Sequence, residues 1–433
     1  MPAVDVLVLG AGIAGLGAAE RLAAAGRRVL VLEARDRIGG RIHTVDDPAL
    51  GHPVELGAEF VHGRPAELLE LVRAAGLGVE RMPERHERWR GEAPLPDICG
   101  ALARLLERAR KPARDRPAAD LLREQRGDVG GREELDAAAR YLEGFHAADL
   151  ALLGTRSLAE NESAEADDGG ELLRVREGYG ALVRRLAERL DPTRVEIRLE
   201  TVVTGIRWRA GEVGVAHRTS DGRLAETIAP RAIVTLPLAV LKRGANEPGA
   251  VTIDPAPPGW RDSLAALHMG AAQRIVLGFD TRWWAREGEE GPSFVHGSDE
   301  PFPVWWSALP SRVPLLTGWS GGPRAGALAG QGEVALLRAA LDSLASVFGR
   351  DLAELRSRLR LAYSHDWGAD PFAGGAYSYG GVGAIEARAA LARPVAGTLI
   401  VAGEAVAQGG RNATVHGALI SGRAAAAALL AQP

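Results

Sequence analysis

Gly10, Gly12 and Gly15, an acid at Glu33 and the run Gly39-Gly40-Arg41 have the types and spacing that suit dinucleotide chemistry. Gly10 allows a tight turn, Gly12 lets backbone approach a pyrophosphate, and Gly15 lets a helix pack onto a strand. Ile13 and Ala14 lie in the opening of that helix, whose free N–H groups and partial positive charge face the phosphates. Glu33, eighteen residues past Gly15, is placed to accept a ribose hydroxyl. Ala34, Arg35, Gly39, Gly40 and Arg41 supply a second loop, where backbone approaches phosphate and a guanidinium pairs with it.

This chemistry needs strand, turn, helix and strand in that order. Val4–Leu9 and Arg28–Leu32 are apolar runs that predict strands, and the alanine-rich Leu16–Ala25 predicts the helix. Apolar spacing predicts further helices over Ile98–Arg110, Arg132–Leu150 and Glu333–Phe348. Asn161–Gly170 is polar and turn-rich, which predicts a loop. Val195–Leu199, Val202–Arg209, Glu212–His217 and Ala232–Leu236 predict a β-meander, with turns at Ala210-Gly211 and Asp221-Gly222.

Composition bounds the function. A chain of 433 residues is too long for one ordinary core, so two domains are expected. The net charge of −4 gives no reason to expect nucleic acid or an acidic membrane as partner. Lys111 and Lys242 are the only lysines among the 52 basic residues, the rest being arginine. A single cysteine, Cys99, excludes an intramolecular disulfide framework and a CxxC metal site, so no metal is expected. With the first strand starting at Val4 no signal peptide is expected, and no run approaches the roughly 20 apolar residues of a membrane span. A cytoplasmic protein is expected.

Several segments resemble the flavin-containing amine oxidases, which include monoamine and polyamine oxidases and the flavin histone demethylases. Glu33–Arg41 resembles the loop after their second strand, and Glu55-Leu56-Gly57-Ala58-Glu59-Phe60-Val61-His62-Gly63 their active-site segment, closest to the polyamine oxidases. Arg176–Gly180, Val234–Lys242, Trp367–Tyr379 and Gly403–Arg423 follow in the family's order. The fold this implies is α/β, a Rossmann-like FAD-binding domain of the glutathione-reductase type with a β-meander, interleaved with an α+β substrate-binding domain. Residues 1–75, 175–254 and 376–433 would form the first, and 76–174 and 255–375 the second.

The resemblance implies FAD as cofactor. Beyond the two loops, it implies cofactor contacts at Gly57, Ala58, Glu59, Val203, Thr235, Trp367, Gly403, Glu404, Thr414 and Val415. Ala376 stands where covalently flavinylated members carry cysteine, so non-covalent FAD is expected. Tyr377 would be one wall of an aromatic cage for the amine, Trp367 would pack near the isoalloxazine, and His62 would face the substrate. His416 is expected to be structural.

Two positions depart from the family's pattern. Thr414 stands where some members place a second cage tyrosine, which leaves room for a secondary or branched amine. Arg274 occupies the place of a lysine that holds a water at flavin N5, and a guanidinium cannot readily give up its proton. The implied activity is oxidation of an amine, a polyamine or secondary amine, by hydride transfer to flavin N5, with reoxidation by oxygen giving hydrogen peroxide. Two enzyme alternatives are an L-amino-acid oxidase, for which Arg64 is one candidate carboxylate partner, and a flavin amine dehydrogenase with poor oxygen reactivity. A binding-module role is disfavoured, because the demethylases' long helical insertion has no counterpart of that length. The expected partners are a small amine and oxygen, with the protein a monomer or homodimer. The pairs Trp283-Trp284 and Trp305-Trp306, with Trp319, would either line a substrate tunnel or fill a core.

Overall fold

Two Val-Leu-Val-Leu runs decide the first layer. In the computed structural model, which describes residues 4–89, 98–110, 114–125, 132–286 and 288–432, Val6–Leu9 and Val29–Leu32 are adjacent parallel strands. Side chains alternate along a strand. Val6, Val8, Val29 and Val31 therefore enter one core, and Leu7, Leu9, Leu30 and Leu32 another. Both faces of the sheet are covered, as a parallel sheet requires. Its five strands run in the order Leu399–Val401, Arg231–Val234, Val6–Leu9, Val29–Leu32, Val195–Arg198. This is the expected Rossmann-like α/β arrangement.

The valine face carries the first helix, Ile13–Ala24, and the final helix, Val415–Leu430. They touch backbone to backbone: a Cβ on Gly422 would stand 2.0 Å from the Ala14 carbonyl oxygen. The first strand and helix start at Val6 and Ile13, two residues after and three residues before the predicted starts.

The meander on the leucine face differs from expectation. Val202–Arg209 and Glu212–Arg218 form its hairpin, but its next strand is Leu224–Ala229, and Thr252–Asp254 joins in parallel. The segments Val195–Arg198 and Arg231–Val234 belong to the parallel sheet instead. A short apolar run marks a buried strand without naming its neighbour. Leu224–Ala229 is mostly exposed, so it lacks the alternation that would reveal it.

A six-stranded sheet makes the second layer, in the order Leu359–Ser364, Ala272–Phe279, Leu315–Gly321, Val304–Ser307, Phe294–His296, His86–Glu87. The helix Glu333–Phe348 packs on it, with the bounds expected. Helices Ile98–Arg110, Ala118–Gln125, Arg132–Phe145 and Thr155–Asp167 gather into a bundle. Two expectations are corrected there. Arg132–Phe145 stops short of Leu150, and most of the expected loop at 161–170 is helix. Thr155, Ser157, Leu158 and Ala159 anchor that helix by burial, and the Glu and Ala residues that follow favour it. The chain turns only at Gly169 and Gly170, both with positive φ. Among the described residues no helix is long and apolar enough to cross a membrane.

Candidate active site

The two layers and the bundle enclose a cavity of about 430 Å³. At one end lie the glycine turns. Gly12 is the N-cap of the first helix, which has no side-chain cap and no acid in its first turn, so its leading N–H groups are left for an anion. Gly39 pairs with Gly12 and donates its N–H to the Ala11 carbonyl at 2.8 Å. Gly10, at φ 110°, brings its backbone against Thr235, whose Oγ1 donates to the Leu9 carbonyl at 2.8 Å. Glu33 is 4% exposed; its oxygens accept the Ala11 and Arg35 N–H groups at 2.8 and 3.0 Å and keep further lone pairs for a ligand. Ile13, Ala14, Ala34, Gly40 and Val203 also line this end. Gly15, counted with the cofactor loop, does not line the cavity: a Cβ there would meet the Gly10 carbonyl at 2.0 Å, so it serves the close packing expected of it and makes no cofactor contact.

Further along, the charged side chains bind one another. Arg35 makes a forked pair with Asp370 at 2.8 and 2.9 Å, and His365 holds the same carboxylate at 2.9 Å. Arg41 reaches Glu404 at 2.7 Å and the Ala376 carbonyl at 2.9 Å. Glu404 also accepts from Ser378 N and Oγ and from Ala413 N. Burial pushes the Glu404 carboxyl up, but Arg41 and these hydrogen bonds outweigh it and hold it below the usual range. Glu404 thus fixes the turns at Gly403 and Ala413 from beneath.

Gly57, Ala58, Trp367, Thr414 and Val415 line the next stretch. A Cβ on Gly57 would strike the Arg41 carbonyl at 1.9 Å and approach the Trp367 ring at 3.2 Å, which keeps bare backbone here. Trp367 Nε1 donates to the Leu56 carbonyl at 2.8 Å. Thr414 caps the final helix: its Oγ1 accepts from Gly417 N at 2.9 Å and donates to the Arg411 carbonyl at 2.7 Å. With its hydroxyl so engaged, Thr414 offers the cavity little beyond its methyl group. Tyr377 instead stacks parallel to Trp319, with centroids 6.5 Å apart and planes 6° apart. Both are tied to the end of the Arg132–Phe145 helix, through Tyr377 OH to the Phe145 carbonyl (2.7 Å) and Trp319 Nε1 to the Gly144 carbonyl (3.0 Å).

Arg274 lines the same cavity at 6% exposure, with both terminal nitrogens engaged and its buried Nε without a protein partner. It pairs with Glu59 and donates to the Gly57 carbonyl at 3.1 Å. Glu59 is shared: Arg174 holds it at 2.5 Å, and Trp306 Nε1 donates to it at 3.2 Å. Burial raises the Glu59 carboxyl, and the two guanidiniums more than reverse this, so it is ionised.

His62 faces the cavity across from the helix Thr155–Asp167, and its Nδ1 lies 3.2 Å from Glu165. Desolvation lowers the imidazole's affinity for protons, but the bond to Glu165 and its charge prevail and hold the pKa above its ordinary value. Beside this pair, His146 meets Glu162 at 3.0 Å, and Glu84 and Asp168 complete an acidic wall. His416 is buried, and burial, aided by the His62 charge, lowers its pKa to about 4, so it is neutral near pH 7.

Every expected site residue except Gly15 lines this cavity. The sequence reading missed Arg174, Phe60, Glu162 and Glu165, and left Trp319 between a tunnel wall and a core; it lines the cavity. Spacing held the signal for the acids: Asn161, Glu162, Ala164, Glu165 and Asp168 lie three and four apart, one face of a helix. Alternation held it for the tryptophans. Trp305 enters the core of the sheet, while its neighbour Trp306 faces the cavity. Trp283 and Trp284 pack in the core.

Comparison with known proteins bears on this arrangement. The family profile described as "Flavin containing amine oxidoreductase" matches residues 13–430. Lysine-specific histone demethylase 1 homolog 3 of Oryza sativa subsp. indica is 29% identical over 96% of this chain, which spans only 53% of that protein's length. Polyamine oxidase 4 of Oryza sativa subsp. japonica is 30% identical, over 98% of this chain and 88% of that one. Among solved structures, a putrescine oxidase double mutant superposes with a TM-score of 0.80 at 22% identity, covering 100% of both chains, which is a likeness of fold. The uncapped helix, the paired glycine turns and the bare backbone at Gly57 fit a flavin dinucleotide. The chain belongs to the flavin-containing amine oxidoreductase family, and its cofactor is FAD.

Proposed function

We propose that this protein oxidises an amine, a polyamine or other N-substituted amine, to the imine. The flavin, when bound, accepts the hydride at N5, and its reoxidation by oxygen yields hydrogen peroxide. One observation carries the reading: a dinucleotide cradle, a parallel aromatic pair and a His–Glu pair share one cavity. The chain's 1–75, 175–254 and 376–433 portions would supply the cradle.

Gly10, Gly12, Ile13 and Ala14 with Gly39–Arg41 would hold the pyrophosphate, and Glu33 the ribose. Gly57, Trp367, Gly403 and Val415 would flank the ring, with the N-terminus of the final helix offering positive potential to its electron-rich edge. Ala376 provides no thiol, so the cofactor is held non-covalently. Tyr377 and Trp319 present π-faces that orient the amine. His62 takes the proton an ammonium substrate must lose, and Glu165 steadies the imidazolium that results. The acids at Glu84, Glu162 and Glu165 suit a second positive charge on the substrate, in keeping with relatives named polyamine oxidase and putrescine oxidase.

The engagement of Arg274 by Glu59 and Gly57 favours a second reading, a dehydrogenase that passes electrons to another acceptor. Amino-acid oxidation has no such support. Each cavity-lining arginine among the described residues, Arg35, Arg41, Arg274 and Arg411, is already paired with a carboxylate. Arg64 pairs with Glu171 and does not line the cavity.

A panel of polyamines, secondary amines, monoamines and amino acids, assayed for peroxide and for anaerobic flavin bleaching, tests the proposal. Bleaching with peroxide by polyamines is expected. Bleaching without peroxide establishes the dehydrogenase, and bleaching by amino acids alone overturns the amine reading.

A further inference from the structure

Arg174 has no part in the reading so far. It does not line the main cavity, is 8% exposed, and projects from the strand Leu172–Val175. Its Nη1 donates to the Leu309 carbonyl at 2.8 Å and its Nη2 to the Ser307 carbonyl at 3.4 Å, and its guanidinium lies 5.2 Å from the Phe60 ring centroid. Through Glu59 it joins Arg274, which does line the cavity and stands over the Trp306 ring. Two cations thus share one carboxylate in a dry wall, leaving one unit of positive charge uncompensated. Buried ions of this kind are costly to assemble, and packing alone would be served as well by apolar side chains.

The surrounding charges do not cancel the surplus. Glu80 is the partner of Arg176 at 2.8 Å on the far side of a small chamber of about 40 Å³ behind the cluster. Glu55, on the same wall, is fully occupied by Thr44 Oγ1 and Tyr179 N at 2.7 Å each, and burial raises its pKa to about 7. Acidification to pH 6 moves it further toward its neutral form and lessens the negative charge it adds. The surplus also has a direction. A dinucleotide held by its pyrophosphate at Gly12 and its ribose at Glu33 would extend its other half toward Gly57 and Trp367, which line the same cavity, and Arg274 is bonded to the Gly57 carbonyl.

We propose that the Arg174–Glu59–Arg274 cluster is a fixed positive charge that raises the reduction potential of the bound flavin, with Arg174 a positioning residue acting through Glu59. A cation near a group that gains electrons stabilises the reduced form, and low polarity around it lengthens its reach. The inference rests on the flavin-site reading but not on the identity of the amine.

The test is the midpoint potential of the flavin in purified holoprotein at pH 6, measured by dye equilibration without any amine. Arg174→Met removes the surplus and should shift the reduction equilibrium at least tenfold toward oxidised flavin, about 30 mV for a two-electron couple. Arg174→Lys keeps the charge and should stay within about threefold of the parent. Glu59→Gln increases the surplus and should shift the equilibrium the other way. Opposite shifts cannot come from a general loosening of the site. Equal potentials in all variants, or Met and Gln variants moving together, overturn the proposal. Should Arg174→Met fail to retain flavin, the Glu59→Gln shift decides alone, and its absence is equally fatal. A protein that passes this test yet bleaches with no amine would fail only the substrate reading.

Discussion

His62 and Glu165 show what a single hydrogen bond does to the chemistry of a residue. The imidazole must be neutral to take a proton, and Glu165 holds its pKa above the ordinary value, so with His62 in its proposed role that bond should set the rise of kcat/KM with pH. Glu165→Gln keeps the shape and removes the charge, taking away the largest influence that raises the pKa. The rising limb should therefore move to lower pH, and His62→Gln should remove it. A limb unmoved in Glu165→Gln would assign it to another group, the substrate ammonium foremost. At the same scale, Trp319→Ala removes one of the two parallel faces. It should lower kcat/KM for the best amine about tenfold, since a desolvated cation–π contact contributes roughly 1–2 kcal/mol, whereas Thr414→Ser should change it little, its hydroxyl being engaged in the helix cap. Steady-state kinetics on both variants separates the two candidate walls.

At the scale of elements, the close crossing of the first and final helices ties the glycine-turn end of the cavity to the end at Thr414 and Val415. Gly422 has ordinary backbone angles, so its lack of a side chain serves only the approach to Ala14. Gly422→Ala should lower stability by about 1–3 kcal/mol, the range for overpacking, and weaken FAD retention as Gly12 and Thr414 separate. Gly326→Ala, an exposed position with nothing near its Cβ, should be neutral or slightly stabilising. Thermal unfolding of the two variants with and without FAD measures the difference. Elements also mark how far the sequence could be read. Gly10 to Glu33 was legible because strand, turn and helix must be consecutive to bind phosphate, and Thr414–Val415 because a helix start carries its own cap. The Thr155–Asp167 helix was legible only in the three- and four-residue spacing of its polar face, which carries no apolar stripe because it lines a cavity that exists only once other segments surround it. Arg174 was not legible, since its partners Glu59, Ser307 and Leu309 come from distant parts of the chain.

Across the whole molecule, the site is closed by charges far apart in sequence. Asp370 holds the second glycine loop through Arg35 and reaches His365 and Phe372 N, so one carboxylate clamps the glycine-turn end of the cavity to the segment carrying Trp367. Burial raises the Asp370 pKa, but His365 and Arg35 overcome this and depress it well below the carboxylate range. A depressed carboxyl stabilises the fold above its unfolded pKa of about 3.9, and that stability is lost as pH falls through the folded value. Acid should therefore open this clamp, releasing flavin before the apolar cores of the two layers melt. Asp370→Asn removes the charge at every pH. It should cost about 1.5–3 kcal/mol at pH 7, as for a hydrogen bond to a charged group, and its deficit should shrink as pH falls below about 3.9, where the unfolded chain takes up the proton first. Flavin fluorescence and far-ultraviolet dichroism, followed together from pH 7 to pH 2, give the comparison. Coincident loss of both signals in the parent, or a deficit in Asp370→Asn that stays constant down to pH 2, would mean that the clamp does not control flavin release.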